Sequence, residues 1–343
     1  DDSFNSLAHE FIAQSNLFCR GQKLMNVMPP FIAYGYACGV HMPLVMGLHV
    51  VIIPNLDPDK LGALIWKHKP EHMFGVPAHY QQMAASPLLK KKKDLSFIRN
   101  YAAGGDSLPL GAELTVNEFL KAHNVEYPLA KGYGMTEVAS AATVAAGNVT
   151  KPGSVGIPML NTVVSIFEPG TETELPIGER GEICICTPTV MKGYYNKPEE
   201  TDMILRRHAD GQIWAHTGDV GYMDEDGRIR INGRRKEIII RGGENLSARE
   251  IDDNLVGCPG VGESATIGMP DDRLGERICT FVAPLGDTVP TLESVTAYLE
   301  GEGVPKRLWP ERIEIIDEIP VTATGKVKRF ILAQILKERM EAE

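Results

Sequence analysis

The segment KGYGMTE, residues 131–137, places an aromatic ring, a hydroxyl group and a carboxylate in a turn bounded by two glycines. Tyr133 could stack on a flat ring, Thr136 could contact a phosphate oxygen, and Glu137 could bind a hard cation such as Mg²⁺. Glycine lets a ligand approach the backbone closely. The alternative is a plain turn with the tyrosine packed in the core, because short motifs also arise by chance.

A second glycine turn, GGD at residues 104–106, follows the preceding predicted strand. Ligands of doubly wound folds bind outside the carboxyl ends of the strands, and both turns are predicted at such ends. Gly104, Gly105 and Asp106 could therefore face the same ligand as the first turn. Taken alone, GGD is more typical of an ordinary turn.

Three later segments also carry candidate chemistry. In HTGD, Asp219 is predicted to follow one strand and precede another. It could accept hydrogen bonds from both hydroxyls of a ribose, as acidic residues do in other nucleotide sites. In GRRKEIIIRGGE, Arg234 could reach a phosphate or ribose, Lys236 is placed as a hinge between domains, and Gly243 lies in a loop without side chains. A turn aspartate and a basic linker are the structural alternatives.

The last segment, PVTATGK, ends in Lys326. It is not a Walker A loop, because Pro320 stands where that loop begins with glycine and Val327 replaces its Ser or Thr. A lysine near the end of a chain is usually solvated. As a mobile point charge, Lys326 could instead bind an α-phosphate and a carboxylate together.

The elements predicted around these residues change character twice along the chain. Strands alternate with helices up to about residue 150, which indicates a doubly wound, mostly parallel α/β sheet. Short strands between Gly, Pro and Asp turns then predict an antiparallel β-rich subdomain over 151–235, including a hairpin at Asp226-Gly227. A mobile α+β domain is predicted over 236–343. Predicted strands of the first part lie at 23–30, 49–55, 72–77, 98–105 and 125–134, and predicted helices at 4–20, 57–69, 110–123, 247–256, 291–301 and 328–341.

Composition restricts the classes of function. The 343 residues carry 35 basic and 45 acidic side chains, a net charge of −10, which argues against nucleic acid as the main partner. The most apolar run, near 40–54, is interrupted by His, Pro and Gly and is too short to span a membrane. The six cysteines form no Cys-x-x-Cys pair, so reduced thiols in a cytoplasmic protein are expected.

Four of these segments, in this order and at these spacings, resemble motifs of the acyl-adenylate-forming superfamily, which includes acyl-CoA synthetases, luciferases and peptide-synthetase adenylation domains. The four are GYGMTE, HTGD, GRRKEIIIRGGENLSAREID and PVTATGK. GERGEICICTPTVMKGYYNKPEET matches a fifth motif of that superfamily, and the resemblance covers nearly the whole chain. It implies that ATP activates a carboxylic acid to an acyl-adenylate, and that CoA then displaces AMP. ATP, Mg²⁺ and CoA are therefore the implied cofactors and substrates.

The resemblance also implies roles for individual residues. Glu137 would bind Mg²⁺, Lys326 would drive the first half-reaction, Lys236 would be the hinge, and Gly243 would line the CoA tunnel. The nucleotide would be held by Gly104, Gly105, Asp106, Gly132, Tyr133, Gly134, Met135, Thr136, Asp219, Arg234 and Lys326.

The implied acyl pocket is apolar, so a hydrophobic carboxylic acid is expected rather than an amino acid. Many relatives have an aromatic-His pair at its entrance, whereas here Phe31 is followed by Ile32. The other expected pocket residues are Tyr34, Gly35, Val76 and His79.

The superfamily also carries a Ser/Thr/Gly-rich loop ending in Pro-Lys-Gly, which does not occur in this sequence. We therefore expect an N-terminally truncated fragment with little or no adenylation activity. Two alternatives stay open: an enzyme that loads an aryl or amino acid onto a carrier protein, and a non-catalytic nucleotide-binding module. A homodimer is also left open.

Overall fold

The computed structural model describes residues 2–92, 94–286, 288–322 and 326–342. Most of the Thr/Gly-rich loop before Lys326 thus lies outside the described residues. Packing divides the chain into two compact units: the first runs through Thr217 and includes Gly221–Ile231, and the second comprises Gly218–Val220 and the chain from Asn232 onward.

A seven-stranded sheet forms the centre of the first unit. Its strand order is β2-β1-β3-β4-β5-β6-β7, and β1 to β5 are parallel while β6 and β7 run antiparallel. Every residue of its central strands at 72–75 and 100–103 is buried, as expected for a parallel sheet covered on both faces. The strands are β1 (Lys23–Asn26), β2 (His49–Ile52), β3 (His72–Gly75), β4 (Asn100–Ala103), β5 (Ala130–Tyr133), β6 (Thr143–Ala145) and β7 (Ile157–Pro158).

Helices cover this sheet and complete two apolar cores. One core joins Met25, Met73 and Tyr101 to the helices around them, and the other joins Leu7, Leu24 and their neighbours. The parallel α/β architecture predicted for this part is confirmed. The helices are α1 (Asp2–Gln14), α2 (Met42–Val45, preceded by a π-helical segment at Tyr34–His41), α3 (Leu61–His68), α4 (Pro77–Ala85), α5 (Pro87–Lys90) and α6 (Leu110–Ala122).

Local hydrogen bonds explain where the second predicted helix begins. The side chain of Asp57 accepts a hydrogen bond from the Asp59 amide at 3.2 Å, as an N-cap does. The chain then forms one 3₁₀ turn at Pro58–Lys60 before α3. Lys69 ends the helix in the left-handed region, with φ +45°.

A second sheet, with the order β10-β11-β9-β8 and β12 beside β11, gives the predicted antiparallel β-rich part. The predicted hairpin is confirmed, because Gly227 has φ +73° and the Asp224 amide donates to the Arg228 carbonyl oxygen at 2.9 Å. The elements are β8 (Val163–Phe167), β9 (Gly181–Cys186), α7 (Pro198–Ile204), β10 (Leu205–Arg207), β11 (Ile213–Met223) and β12 (Ile229–Arg234).

The second unit is built on a mixed sheet with the order β14-β13-β16-β15, in which β17 pairs with β16. The predicted cap of its first helix is confirmed, because Ser247 Oγ accepts the Glu250 amide hydrogen bond at 3.2 Å. The elements are β13 (Ile238–Arg241), β14 (Glu244–Ser247), α8 (Ala248–Asn254), β15 (Val261–Asp271), β16 (Gly275–Pro284), α9 (Leu292–Gly301), β17 (Arg312–Ile315) and α10 (Arg329–Ala342).

Two expectations about elements were wrong. Helix α1 ends at Gln14 instead of residue 20, since the Leu17 amide bonds to Ser15 Oγ and no longer continues the helix. Asp219 lies inside the continuous strand β11, not between two strands. Among the described residues, no helix is both long enough and apolar enough to cross a membrane.

Candidate functional site

The carboxyl ends of β3, β4 and β5 meet at one edge of the large sheet, because the three strands are parallel neighbours. Both glycine turns lie at this edge. A Cβ atom built on Gly104 would be 3.4 Å from the Gly132 carbonyl oxygen, so the two turns are in contact. The structure therefore brings together the two segments that the sequence predicted to face one ligand.

Two of the expected acyl-pocket residues lie beside the same turn. A Cβ on Gly105, which has φ +78°, would be 3.6 Å from Tyr34 Cδ1 and 3.9 Å from Val76 Cγ1. The Tyr34 hydroxyl donates a hydrogen bond to the Ala102 carbonyl oxygen at 3.0 Å, which fixes the ring against the strand end. Tyr34, Val76 and Gly105 thus form one apolar wall.

The other three expected pocket residues have different surroundings. His79 Nδ1 accepts a hydrogen bond from the Val76 amide at 3.3 Å, and burial lowers the pKa of its imidazole. Gly35 packs against backbone, since a Cβ there would lie 2.0 Å from the Pro29 carbonyl oxygen. Phe31 is 81% exposed, so the ring does not pack with these residues.

Gly134 is required by the fold of its own loop. A Cβ at this position would lie 1.9 Å from the Ser140 carbonyl oxygen, a distance that no side chain could adopt. The loop after β5 therefore folds back tightly on itself and continues into a 3₁₀ turn at Thr136–Val138. This turn presents the Thr136 hydroxyl and the Glu137 carboxylate in adjacent positions.

Glu137 is held from both its backbone and its side chain. Its carbonyl oxygen accepts the Met191 amide hydrogen bond at 2.7 Å, and the Tyr194 hydroxyl donates to Glu137 Oε1. Burial, and the hydrogen bond to this carboxylate, raise the pKa of Tyr194 to about 12. The tyrosine therefore stays a neutral donor, and the half-buried carboxylate keeps a fixed direction.

A cavity of about 360 Å³ opens beside this turn. Thr136 and Ser3 bring hydroxyl groups to its wall, Lys192 brings a cation and Asp2 brings a carboxylate. Thr189 also lines the cavity, but it is buried and its hydroxyl donates to the Val138 carbonyl oxygen at 3.0 Å. The segment 178–201 matches a family motif, but the sequence alone assigned no role to Thr189, Lys192 or Tyr194. Hydroxyl groups and a lysine are suitable ligands for phosphate oxygens.

The remaining residues of the two turns divide between core and surface. Tyr133 and Met135 pack against the apolar core that contains Val138 and Ala142, and both are half-buried. Asp106 is exposed, and its Oδ1 accepts the Ser107 amide hydrogen bond at 2.8 Å. Stacking of Tyr133 on adenine stays a prediction.

A buried ion pair fixes the strand that leads into the motif. Lys131 Nζ contacts Glu113 Oε1, and the two side chains are 6% and 1% exposed. Lys131 also donates to the Lys151 carbonyl oxygen at 2.9 Å, and Glu113 Oε2 accepts the Gly153 amide at 3.0 Å. Burial lowers the pKa of Lys131, while the Glu113 carboxylate opposes that shift.

In the second unit, the predicted ribose ligand and the predicted phosphate contact form a pair. Arg234 Nε lies 3.2 Å from Asp219 Oδ1. Asp219 is 8% exposed, whereas the side chain of Arg234 is 57% exposed. The arginine therefore neutralises and orients the carboxylate while remaining open to solvent.

The predicted hinge and tunnel residues lie in exposed turns of the second unit. Lys236 is the middle residue of a 3₁₀ turn, Arg235–Glu237, between β12 and β13. Gly243 is in the tight turn between β13 and β14, with φ +86°, and apart from Gly243 itself and its two chain neighbours no atom of the described residues lies within 4 Å of where its Cβ would stand. A side chain there would be strained by the backbone and would project into open space.

Lys326 is exposed, and its backbone is hydrogen-bonded to Thr322. The Thr322 amide donates to the Lys326 carbonyl oxygen at 2.8 Å, and the Lys326 amide donates to Thr322 Oγ1 at 3.1 Å. Helix α10 follows, and its first residue, Arg329, pairs with Asp252 at 2.5 Å and with Glu237 at 3.2 Å. Arg329 thus ties the start of this helix to the residue that follows Lys236.

Comparison with protein families gives two matches. The AMP-binding enzyme model matches residues 3–195, and the model of the AMP-binding enzyme C-terminal domain matches residues 250–326. The first match alone covers more than half of the chain.

Curated relatives agree with this assignment. The chain is 34% identical to a long-chain-fatty-acid–CoA ligase of Bacillus subtilis over 93% of its own length and 55% of the relative. It is 35% identical to a feruloyl-CoA synthase of an Amycolatopsis species, over 83% of its length and 55% of the relative. A medium-chain fatty-acid–CoA ligase of Escherichia coli is 32% identical over 98% of this chain and 58% of the relative. The chain thus spans little more than half the length of these relatives.

Solved structures show the same fold. The ATP-bound form of MatB from Rhodopseudomonas palustris superposes with a TM-score of 0.85 at 28% identity, over 98% of this chain and 64% of that one. The amide bond synthetase McbA from Marinactinospora thermotolerans superposes with a TM-score of 0.81 at 25% identity, over 97% of this chain and 66% of that one.

Proposed function

This chain belongs to the family of AMP-binding enzymes, and we propose that it acts in the ATP-dependent activation of a hydrophobic carboxylic acid to its CoA thioester. A carboxylate oxygen attacks the α-phosphorus of ATP, a new P–O bond forms, and the bond to pyrophosphate breaks. The CoA sulfur then attacks the acyl carbonyl carbon, and AMP leaves.

The observation that carries this proposal is the cavity beside Thr136 and Glu137. It combines the Thr136 and Ser3 hydroxyl groups with the Lys192 cation and the Asp2 carboxylate, next to the Glu137 carboxylate that Tyr194 orients. Phosphate oxygens need donors and positive charge, and a cation-binding carboxylate nearby suits a metal–nucleotide ligand. The two glycine turns at the neighbouring strand ends give close access for a flat base.

Glu137 fits the Mg²⁺ that such a nucleotide carries. Its carboxylate is half-buried and adjacent to the Thr136 hydroxyl, and Mg²⁺ prefers oxygen ligands of this type. The ion, when bound, would neutralise phosphate charge. The contribution of this chain is to direct the Glu137 carboxylate through the Tyr194 hydrogen bond.

Nucleotide contacts follow from the same residues. We assign Gly104, Gly105, Asp106, Tyr133 and Met135 to the adenine side and Asp219 to the ribose hydroxyls. The Arg234 guanidinium at 3.2 Å stabilises the charged form of the Asp219 carboxylate, so that it can accept two hydroxyl donors.

Lys326 supplies the charge for the first half-reaction. Two anions, the carboxylate and the α-phosphate, must meet, so the barrier is mainly one of charge neutralisation and positioning. The exposed ammonium of Lys326 can serve both anions as a point charge. Lys236 is the hinge in this proposal. The chain is divided into an α/β subdomain (1–150), a β-rich subdomain (151–235) and a swivelling C-terminal domain (236–343).

Gly243 serves the second half-reaction, in which the pantetheine arm of CoA must reach the adenylate. We assign this role to Gly243 because the turn between β13 and β14 carries no side chain there that could obstruct a narrow substrate. An aromatic side chain at this position would narrow that passage.

The substrate class follows from the wall formed by Tyr34, Val76 and Gly105, which offers apolar surface and no charged group. Relatives named for long-chain, medium-chain and feruloyl substrates support a hydrophobic acid and CoA as the acceptor. We place the reaction in the cytoplasm, where the cysteines would stay reduced.

The test is a substrate screen with the intact protein. ATP, Mg²⁺ and fatty, aryl or amino acids are supplied, followed by CoA or a phosphopantetheinylated carrier protein. We expect AMP and an acyl-CoA from a fatty or aryl acid. Transfer to the carrier alone would overturn the CoA assignment, and failure to bind or consume ATP would favour a non-catalytic module.

A further inference from the structure

The guanidinium group of Arg329, the first residue of α10, contacts three separate elements of the second unit. Its Nη1 atom lies 3.2 Å from Glu237 Oε2, and its Nη2 atom lies 2.5 Å from Asp252 Oδ2. Its Nε–H group donates a hydrogen bond to the Thr266 carbonyl oxygen at 3.0 Å. The 3₁₀ turn Arg235–Glu237, here called the hinge turn, thus meets α8 and β15 at one side chain.

Two of these contacts lie in the body of the unit, and the third does not. Leu332 and Leu336 pack α10 into the same apolar core as β15. The contacts of Arg329 with α8 and β15 therefore reinforce a helix position that apolar packing also sets. Glu237 is different, because it is the last residue of the hinge turn and directly follows Lys236. Its contact is the one that links the proposed hinge to α10.

Backbone contacts fix the segment that carries Lys326 to the start of the same helix. The Lys328 amide donates to the Pro320 carbonyl oxygen at 2.8 Å, and Val321 and Val327 form a β-bridge. These contacts join the chain before and after Lys326 immediately ahead of α10. The position of the Lys326 backbone therefore depends on where this helix begins.

We propose that Arg329 is a positioning residue that makes the hinge turn and the backbone around Lys326 move as one body, a role that rests on the proposed function. In that function Lys236 is the hinge and Lys326 serves the first half-reaction. Rotation at one residue delivers an ammonium group accurately only if the chain beyond the hinge turns rigidly. A misplacement of about 1 Å can cost about 100-fold in rate. The contact between Arg329 and Glu237 restrains the chain directly after the hinge.

The alternative is an ion pair that only stabilises the unit. Burial raises the pKa of Asp252 to about 7 although Arg329 opposes that shift, so Asp252 is the partner that most needs the arginine. The side chain of Glu237 is 29% exposed, and its pairing should contribute little to stability. A purely stabilising role therefore predicts little effect from removal of Glu237, whereas a positioning role predicts a change around Lys326.

The first experiment measures amide hydrogen exchange in the purified 343-residue chain and needs no nucleotide. Glu237→Ala removes the contact with the hinge turn and leaves Arg329 paired with Asp252, so the unit should stay folded. We expect the amides of Lys326 and Lys328 to exchange about fivefold faster than in wild type, while those of β16 stay unchanged. Unchanged exchange at Lys326 and Lys328 would overturn the proposal.

A second variant, Arg329→Lys, tests the same link from the other side. Lysine keeps a positive charge beside Asp252, but its compact ammonium cannot reproduce the fork that reaches acceptors in three directions. We expect the same faster exchange at Lys326 as in Glu237→Ala. Wild-type exchange at Lys326 in folded Arg329→Lys would show that the fork is not needed.

The second experiment separates the two half-reactions of the intact protein. Glu237→Ala and Arg329→Lys should each lower acid-dependent pyrophosphate exchange about tenfold. The double variant should be no slower than either single variant, because all three lose the same contact. Each should still convert a supplied acyl-adenylate to acyl-CoA at nearly the normal rate. Additive losses, or equal losses in both half-reactions, would indicate general destabilisation and overturn the proposal.

Arg339→Gln is the matched control. Arg339 also pairs with a carboxylate, that of Glu314 on β17, but it lies in the last turn of α10, at the opposite end from Arg329. Loss of this pair should leave the Lys326 amide and both half-reactions at wild-type values, and the same losses here would overturn the proposal. An intact wild-type protein that exchanges no pyrophosphate would instead contradict the proposed function. The hydrogen-exchange result would still decide whether Arg329 couples the two segments.

Discussion

In the proposed function, a single ammonium group, that of Lys326, supplies the charge that the first half-reaction needs. Its backbone is fixed by the turn with Thr322, while its side chain is exposed. Glu137 has the opposite character, because Tyr194 and Met191 hold it in place. The proposal therefore combines a fixed carboxylate with a cation that can be delivered and withdrawn.

Lys326→Ala should lower acid-dependent pyrophosphate exchange by the intact protein roughly 100-fold, the usual cost of losing one electrostatic contact to a transition state. The same variant should still convert a supplied acyl-adenylate to acyl-CoA at nearly the normal rate. Lys328→Ala, two residues along, is the matched control and should leave both rates unchanged. Normal exchange by Lys326→Ala would exclude the assigned role.

Glu10 should make stability depend on pH. The side chain is 2% exposed, neither carboxylate oxygen has a hydrogen-bond partner among the described residues, and burial raises its pKa from 4.5 to about 7. The unfolded chain loses this proton near pH 4.5, while the folded chain keeps it to about pH 7. The contribution of Glu10 to stability is therefore fully present below pH 4.5 and is lost as pH rises through 7.

We accordingly expect the free energy of unfolding of Glu10→Gln, taken relative to that of wild type, to rise by about 2 kcal/mol between pH 5 and pH 8. The free energy of unfolding from urea titrations at both pH values measures it. Glu118→Gln, an exposed glutamate on α6, should show no such difference. Parallel pH curves for wild type and Glu10→Gln would contradict the interpretation.

At the scale of elements, local hydrogen bonding decided which sequence predictions held. Asp57 and Ser247 cap their helices through amides two and three residues away, so a short window contains the whole signal. Asp219 was predicted to follow one strand and precede another, yet a single strand continues through Gly218, which has φ +70°, and through Asp219. Pairing with neighbouring strands overrode the local signal.

Contacts between distant parts of the chain had no such signal. Tyr194 reaches Glu137 across 57 residues, and the side chain of Lys192 reaches the cavity of Thr136. Helix α4 at Pro77–Ala85 was not predicted, since its apolar residues alternate irregularly with His79 and two glutamines. The motifs predicted the site residues, and the fold alone revealed the residues that contact them.

The Lys131–Glu113 pair should contribute strongly to the stability of the first unit. Lys131→Met leaves a buried carboxylate unpaired and should cost about 3–5 kcal/mol in the free energy of unfolding. Adding Glu113→Gln should recover much of this loss, because glutamine is neutral and can still accept the Gly153 amide. Urea titrations of the single and double variants measure both values.

Lys197→Met is the matched control for this pair. It also removes a lysine beside a glutamate, Glu200, but in an exposed pair whose side chains are 60% and 40% exposed. Its effect should stay below about 1 kcal/mol. A double variant as unstable as Lys131→Met alone would show that the buried charge is not the cause.

At the scale of the whole molecule, the assigned residues are distributed over two compact units. Thr136, Glu137 and Lys192 lie in the first, and Asp219, Arg234, Gly243 and Lys326 lie in the second. The sequence resemblance indicated a large domain followed by a swivelling one, with Lys236 as the hinge. A hinge at an exposed turn between two strands would change the position of Lys326 without disturbing either core.

Conversion of a supplied acyl-adenylate tests the central claim most directly, because it requires the nucleotide site, the acyl wall and the CoA passage but no pyrophosphate. The purified 343-residue chain is mixed with a synthetic medium-chain acyl-AMP and CoA, and the products are separated by chromatography. We predict acyl-CoA and AMP in equal amounts, with a rate that falls at least tenfold in Gly243→Phe. Folded protein that forms no acyl-CoA above the uncatalysed rate would contradict the account.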